Sequence, residues 1–402
     1  MIESIERPGR EAFSPAERIG ELLAATLEKD PRFYFFSPDE TTSNRLDKVF
    51  ERSERAWNLP IEKWDLPESE RGRIVELLSE NALFAVMVGH LMNNEKAMMT
   101  SYEAFYPIII SQIAQYVKFI RQSEAVAWRE KRPAVNLLST STCWRQDHNG
   151  FTHQSPLLIS SLLSIPGGKV NCLFPVDDVA AESAFSFMME SRDAVNLLTF
   201  DKNPEPRWID SKHADFQFEN GGASVFGFAS DWNFRGDAED IRESGVAFTA
   251  AGDIATREAL YAMDILREDG VGVPLRFVGI SALSYGAIGT HEKRLEQAVF
   301  EEYFGTKAPI VANFHGYPET FKDILANYTD RKRIRAHGYT ERGSTTTPFE
   351  MLSMNEASRY HLALEVARML HREDMIEKYE KILTGNAEYA REYGEDKIAL
   401  LR

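Results

Sequence analysis

Apolar runs that read as buried strands alternate along this chain with segments of helical periodicity, and that alternation limits the fold more than any other feature. Strand-like runs around 134–141, 169–174 and 195–200 are separated by helical stretches near 156–164 and 178–190. Strands apolar on nearly every residue need cover on both faces, so the expected arrangement is a parallel sheet between two layers of helix. Upstream, Ser14-Pro-Ala-Glu17 is a capping box opening a helix that runs to about Lys29. Arg32 to Phe36 form a short aromatic strand, 71–91 and 106–120 have helical spacing, and 97–100 between them is strand-like. A second α/β unit follows, with strands at 246–251, 275–280 and 309–314, helices near 254–268 and 291–304, and further helices at 355–371 and 374–392. The stretch 201–243 is rich in Gly, Asn, Asp and aromatics and carries the interdomain connection. Two α/β domains are therefore expected, 1–235 and 240–402, each a mostly parallel sheet with helices on both faces.

Charge narrows the function. With 46 basic and 62 acidic residues the net charge is -16, which disfavours nonspecific binding to nucleic acid or anionic membranes. A phosphorylated ligand must then be held by locally placed cations. Cys143 and Cys172 lie in or beside apolar runs, outside any metal-ligand spacing, and read as reduced, buried thiols. No stretch approaches the ~20 apolar residues of a membrane span, and Met1 to Arg10 form no apolar leader. The chain reads as cytoplasmic.

Chemistry concentrates in Thr142-Cys-Trp-Arg-Gln-Asp-His-Asn-Gly-Phe-Thr-His-Gln154, between an apolar strand and an apolar helix. Open α/β sheets bind ligands at the carboxyl ends of strands, where this run falls. A polar surface loop is the plainer alternative. Glu80, inside helical periodicity, could likewise be a solvated carboxylate, and Tyr102 and Phe105, three residues apart on one face, could be core aromatics.

The wording of the polar run resembles the phosphoketolases, thiamine-diphosphate enzymes of the transketolase superfamily. Asp39-Glu-Thr-Thr-Ser-Asn-Arg45, Leu78-Ser-Glu80, Ser101-Tyr-Glu-Ala-Phe105, Gly252-Asp-Ile254, Phe314-His-Gly-Tyr-Pro318, His337-Gly-Tyr339 and Thr346-Thr-Pro-Phe349 also resemble family landmarks, in the family's order. The Gly-Asp-Gly motif of the family's amino-terminal half, which binds magnesium and the cofactor's diphosphate, does not occur in this chain. The chain is similar to the carboxyl-terminal half of a phosphoketolase, made as its own polypeptide.

The resemblance implies a thiamine-diphosphate-binding fold for the first domain and a transketolase C-terminal-like fold for the second. It implies that Glu80 bonds the pyrimidine ring of thiamine diphosphate, that Phe105 stacks on that ring and that Tyr102 lies beside it. Ser43, Arg45, Tyr102, Asn149 and Lys202 match the sugar-phosphate pocket. His153 reaches the reacting carbons and can pass protons near neutral pH. Gln146 and His148 orient substrate or brace the loop. His315 and His337 fall in the second domain, where the resemblance implies packing and no direct chemistry. The implied activity is cleavage of xylulose 5-phosphate or fructose 6-phosphate with inorganic phosphate to acetyl phosphate and an aldose phosphate. A partner subunit would carry magnesium and the diphosphate site, in a two-plus-two hetero-oligomer. A noncatalytic scaffold and half of a split transketolase are the alternatives. Asn81, Ser155 and Leu157 depart from the family's usual residues beside the site.

Overall fold

The computed structural model describes residues 8–65 and 68–397; the first seven residues, part of the stretch read above as lacking a leader, lie outside them. The chain is α/β, built on two large sheets, with a two-stranded antiparallel pair of Ala12–Phe13 and Glu205–Pro206 beside them. The larger runs, in spatial order, through Ala287–Ile288, Ala282–Ser284, Val170–Leu173, Val195–Thr199, Val135–Thr140, Ala97–Tyr102, Tyr34–Ser37, Ile74–Glu76, Arg55–Ala56 and Glu68–Ser69. From Val170–Leu173 to Glu68–Ser69 every pairing is parallel. Val135–Thr140 is buried along its whole length, its polar Asn136, Ser139 and Thr140 included.

Alternation within each strand sends neighbours to opposite layers. Met99, Leu137 and Leu197 pack with Leu83, Met87, Ile113, Val117 and Leu162 of the helices Glu80–Met92, Ile110–Ser123 and Leu157–Leu163. Met98, Leu138 and Leu198 pack with Ile19, Leu23, Ala181, Phe185 and Met188 of Pro15–Lys29 and Asp178–Glu190. A one-residue slip would exchange the two sets. A polar ladder fixes that register: Asn171 donates to Asn196 at 2.7 Å and Asn196 to Asn136 at 2.8 Å, inside the sheet, and Asn136 donates to the Met188 carbonyl at 3.1 Å.

The smaller sheet has the order Ala223–Val225, Leu275–Ile280, Val246–Ala251, Ile310–Phe314, Ile334–His337, antiparallel only in its first pair. Helices Asp253–Glu268, Arg359–Met369 and Glu373–Tyr393 cover one face, and Gln297–Phe304 and Pro318–Leu325 pack on the other. Two segments interleave the sheets: Ala282–Ser284 pairs with Val170–Leu173 of the larger one, while Ala223–Val225 joins the smaller.

Three expected helices differ. The span 71–91 splits into the strand Ile74–Glu76, paired with Phe35–Ser37, and a helix that begins at Glu80 behind the cap Ser79. Three strand residues are too few to display a period of two. The span 106–120 begins as a 3-10 turn, Glu103–Ile109, around Pro107, which lacks the N–H an α-helix needs. In 291–304 only Gln297–Phe304 is helical, because Gly289 and Arg294 form a bridge first. The helix Ser211–Glu219, capped by Asp210, lies in the stretch read as connection.

A buried chain of charges joins the domains. Arg145 pairs with Asp201 and Glu205, Arg257 with Glu205 at 2.8 Å and Glu258 at 3.1 Å, and Arg359 with Glu258 at 2.8 Å. Burial alone would raise the Glu258 pKa, but Arg359 and Arg257 overcome it and hold the carboxyl down at about 2. Removing one member of such a set strands the others in a dry interior. Glu258→Gln should therefore cost about 3–5 kcal/mol, read as a lower urea midpoint at pH 7; an unchanged midpoint would mean the chain contributes nothing to stability.

Candidate active site

Parallel strands end on one side of a sheet, and the loops that leave them gather there. Tyr34–Ser37, Ala97–Tyr102, Val135–Thr140 and Val195–Thr199 are mutually parallel, and Ser43, Arg45, Tyr102, Phe105, Gln146, His148, Asn149, His153 and Lys202 lie at their carboxyl ends or in the loops that follow. Glu80 opens the helix that follows the parallel strand Ile74–Glu76.

Glu80 sits in the first turn of its helix, where the peptide dipoles favour a carboxylate. Its side chain is buried, with only 9% of the residue exposed, and accepts a hydrogen bond from the Ser101 hydroxyl at 3.2 Å. This burial excludes a solvated surface carboxylate. Beside it lies a second carboxyl the sequence did not single out. Glu40 accepts from the Tyr102 backbone N–H at 2.9 Å. Desolvation, helped by the charge of Glu80, pushes its pKa up to about 8. Glu40 lies in the polar run Pro38-Asp-Glu-Thr-Thr42, which carries no sign of burial.

The expected phosphate residues meet around Ser141. Lys202 donates to the Ser141 hydroxyl at 3.0 Å, Ser141 donates to Asn44 at 2.9 Å, and the Lys202 ammonium lies 5.6 Å from the Tyr102 ring centre. The Tyr102 hydroxyl donates to Ser43 at 3.1 Å, and Arg45 donates to Asn203 at 3.3 Å. Arg45 and Ser141 hold φ of 59° and 47°, strained for non-glycine residues, as happens where a loop is over-determined by its contacts. Burial lowers the Lys202 pKa while Asp201 opposes that shift. Asn149 enters through Gln146: its amide donates to Gln146 Oε1 at 2.6 Å, and Gln146 donates to the Ser141 carbonyl at 3.1 Å. Gln146 is fully buried, so it braces the loop from within.

Tyr102 and Phe105 stack with centroids 6.0 Å apart and planes 7° from parallel, and the His153 ring stands edge-on to Phe105 at 5.4 Å. Both aromatics are half-buried rather than core. His153 Nδ1 lies 3.0 Å from the Thr152 hydroxyl. His148 is exposed on the same loop, and among the described residues no hydrogen bond fixes its ring.

The second domain holds this loop closely. Trp144 donates to the His315 carbonyl at 2.9 Å and meets Tyr339 edge-on at 5.6 Å, and Gln154 donates to the Ser344 carbonyl at 3.2 Å. The Glu103 carboxylate accepts from the Cys143 N–H at 2.7 Å and lies 2.8 Å from His315 Nε2. Burial opposes a charged His315, but the pull of Glu103 prevails and raises its pKa. Glu103, Cys143 and His315 form the only three-ligand metal-type cluster among the described residues. Burial and the adjacent Glu103 push the Cys143 thiol far up, away from the thiolate a metal needs. The cluster is a staple between domains. His337 Nδ1 donates to the Glu356 carbonyl at 2.7 Å, apart from the loop. Cys143 and Cys172 are both buried and free, and among the described residues no helix is long and apolar enough to cross a membrane.

Two family profiles cover nearly all of the sequence. Residues 17–191 match D-xylulose 5-phosphate/D-fructose 6-phosphate phosphoketolase, and residues 202–401 match the C-terminal domain of the same family. The chain belongs to the phosphoketolase family. A probable phosphoketolase of Rhodopseudomonas palustris (strain HaA2) is 33% identical over 402 residues, covering 98% of this chain and 50% of the relative. One from Bradyrhizobium diazoefficiens is 30% identical, covering 98% and 49%. The chain thus spans about half the length of these phosphoketolases. Among solved structures, transketolase from Leishmania mexicana superposes with a TM-score of 0.64 at 12% identity, over 91% of this chain and 47% of that one. A chain described as split gene transketolase, inactive beta4 tetramer, superposes at 0.59 and 14% identity, over 89% of this chain and 98% of its own. These likenesses show a transketolase-like fold.

The raised pKa of Glu40 has a measurable sign. Between 4.5 and about 8 the folded chain keeps a proton that the unfolded chain releases, so this group's contribution to stability falls as pH rises through that window. Glu40→Gln carries no such proton. Its melting temperature relative to the parent chain should rise from pH 5 to pH 8, and a difference that stays constant would contradict the shift.

Proposed function

We propose that this chain is the pyrimidine-binding subunit of a two-part, thiamine-diphosphate-dependent phosphoketolase of the cytoplasm. The reaction is cleavage of xylulose 5-phosphate or fructose 6-phosphate with inorganic phosphate, giving acetyl phosphate and an aldose phosphate. Residues 1–235 form its pyrimidine-binding domain and 240–402 its C-terminal domain. Family membership supports the chemistry. The observation that carries the site is the buried Glu80 carboxyl, bonded to Ser101 next to Tyr102, whose ring stacks on Phe105, which in turn meets the His153 ring.

These residues fit thiamine diphosphate. One oxygen of Glu80 is engaged by Ser101 and the other has no hydrogen-bond partner among the described residues, as a carboxyl reserved for a ring nitrogen requires. Phe105 offers a half-buried ring face to an aromatic heterocycle. When bound, the cofactor supplies the carbon nucleophile that attacks a ketose carbonyl. Glu80 holds the proton at the pyrimidine nitrogen in a pocket where water does not dilute the bond. Glu40, whose proton is held chiefly by desolvation and further by the charge of Glu80, keeps a second negative charge out of that pocket at neutral pH. His153 moves protons at the reacting carbons, and Gln146 and His148 order the loop that carries it. Ser43, Arg45, Tyr102, Asn149 and Lys202 hold the phosphate, Arg45 as a fork and Lys202 as a point charge.

A partner supplies the magnesium and diphosphate site in a two-plus-two assembly. The helix Glu80–Met92 supports this: its sequence is apolar around the circumference, yet Ala85 and Val86 are exposed, with an apolar groove of about 580 Å³ between it and Ile110–Ser123. A helix apolar on every side belongs in an interior. Half of a split transketolase is the second reading, favoured by the likeness to the split gene chain, and it would transfer the two-carbon unit without forming acetyl phosphate.

Co-expression with a subunit bearing Gly-Asp-Gly tests both. The purified pair should form acetyl phosphate from xylulose 5-phosphate and phosphate, and this chain alone should form none. Product from the chain alone would overturn the two-part assignment, and no product from a stable pair would favour a noncatalytic scaffold. In the active pair Glu80→Gln should lower kcat by at least about a hundredfold with an unchanged melting temperature.

A further inference from the structure

Arg145 lies in the middle of the polar loop, yet the proposed reaction gives it nothing to do. Its guanidinium is already spent: Nε donates to Asp201 and Nη2 to Glu205, with the side chain only 16% exposed. Asp201 turns this into a hold on both cations of the phosphate cradle. Its other oxygen accepts from the Asn203 N–H at 2.9 Å, closing a turn whose middle residue is Lys202. Asn203 in turn accepts from Arg45 at 3.3 Å. Lys202 reaches Ser141, four residues before Arg145, at 3.0 Å. The loop 141–145, Lys202 and Asp201 thus form a closed ring with Arg145 as its clasp. Opened, the ring would leave Glu205 with Arg257 and Asp201 without its ion-pair partner, free to swing toward the adjacent Lys202 and cancel its charge.

We infer that Arg145 is a positioning residue for phosphate recognition: by binding Asp201 and Glu205 it fixes Lys202 and leaves its charge available to a phosphoryl dianion, and through Asn203 it places Arg45, whose other nitrogen meets Glu17 at 3.2 Å on the exposed rim. The inference rests on the assignment of Ser43, Arg45, Tyr102, Asn149 and Lys202 to the phosphate, and goes beyond it in making a residue that never meets the substrate set its affinity. Lysine at 145 would keep the charge and lose the fork that grips two carboxylates at once.

Binding of inorganic phosphate to this chain, by calorimetry, and KM against kcat for xylulose 5-phosphate in the assembled pair test it, using Arg145→Lys, Asp201→Asn and Lys202→Met. Arg145→Lys and Asp201→Asn should each weaken phosphate binding and raise KM by about tenfold, with kcat within about twofold, and the double variant should be no worse than either alone. Asp201→Asn also guards against a folding failure of Arg145→Lys. If Lys202→Met weakens phosphate binding but neither of the other two does, the positioning role is overturned and the cradle stands. If Lys202→Met changes nothing, the cradle itself falls. A lower kcat and melting temperature with unchanged KM would make Arg145 purely structural and overturn the inference.

Discussion

Eight charged side chains meet inside this molecule where its two domains touch, and the placement of the polar loop depends on their balance. Arg145, Arg257 and Arg359 face Asp201, Glu205 and Glu258, while Glu103 faces His315 a short distance away. Each ion left without its partner would cost several kcal/mol in so dry a setting. The loop 142–154 therefore has few alternative positions: Arg145 ties it to the first domain, and Trp144 and Gln154 tie it to the second. His153, which has little holding it directly, inherits its position from these anchors.

The second domain consequently does more than pack. His315 stands at the end of a strand of the smaller sheet, yet its ring and its carbonyl contact Glu103 and Trp144 of the larger domain's loops. Glu103 follows Tyr102, whose backbone N–H binds Glu40, and Glu40 in turn feels the charge of Glu80. One short path of hydrogen bonds and charges thus links the second domain to the carboxyl pair on which the proposed chemistry rests.

Much of this architecture was legible in the residues. The strands at 246–251 and 275–280 coincide with Val246–Ala251 and Leu275–Ile280, and the helix at 178–190 with Asp178–Glu190, because uniform burial and a capping aspartate leave a plain pattern. Ser14 caps its helix as the Ser-Pro-Ala-Glu wording implies. What stayed hidden depends on contacts distant in sequence. Glu40 and Glu103 look like ordinary surface acids until folding half-buries the first and buries the second, and Ser141 carries no mark of its place between Lys202 and Asn44. The strand Ile74–Glu76 was concealed for a local reason: in three residues, helical and extended spacing are indistinguishable.

The most direct test of the account is a structure of this chain assembled with a Gly-Asp-Gly-bearing subunit and thiamine diphosphate. It should show the Glu80 carboxyl hydrogen-bonded to the pyrimidine ring, Phe105 against the ring face, and the apolar side of Glu80–Met92 covered by the partner. A pyrimidine bound elsewhere, with Glu80 still bonded to Ser101 alone, would contradict it.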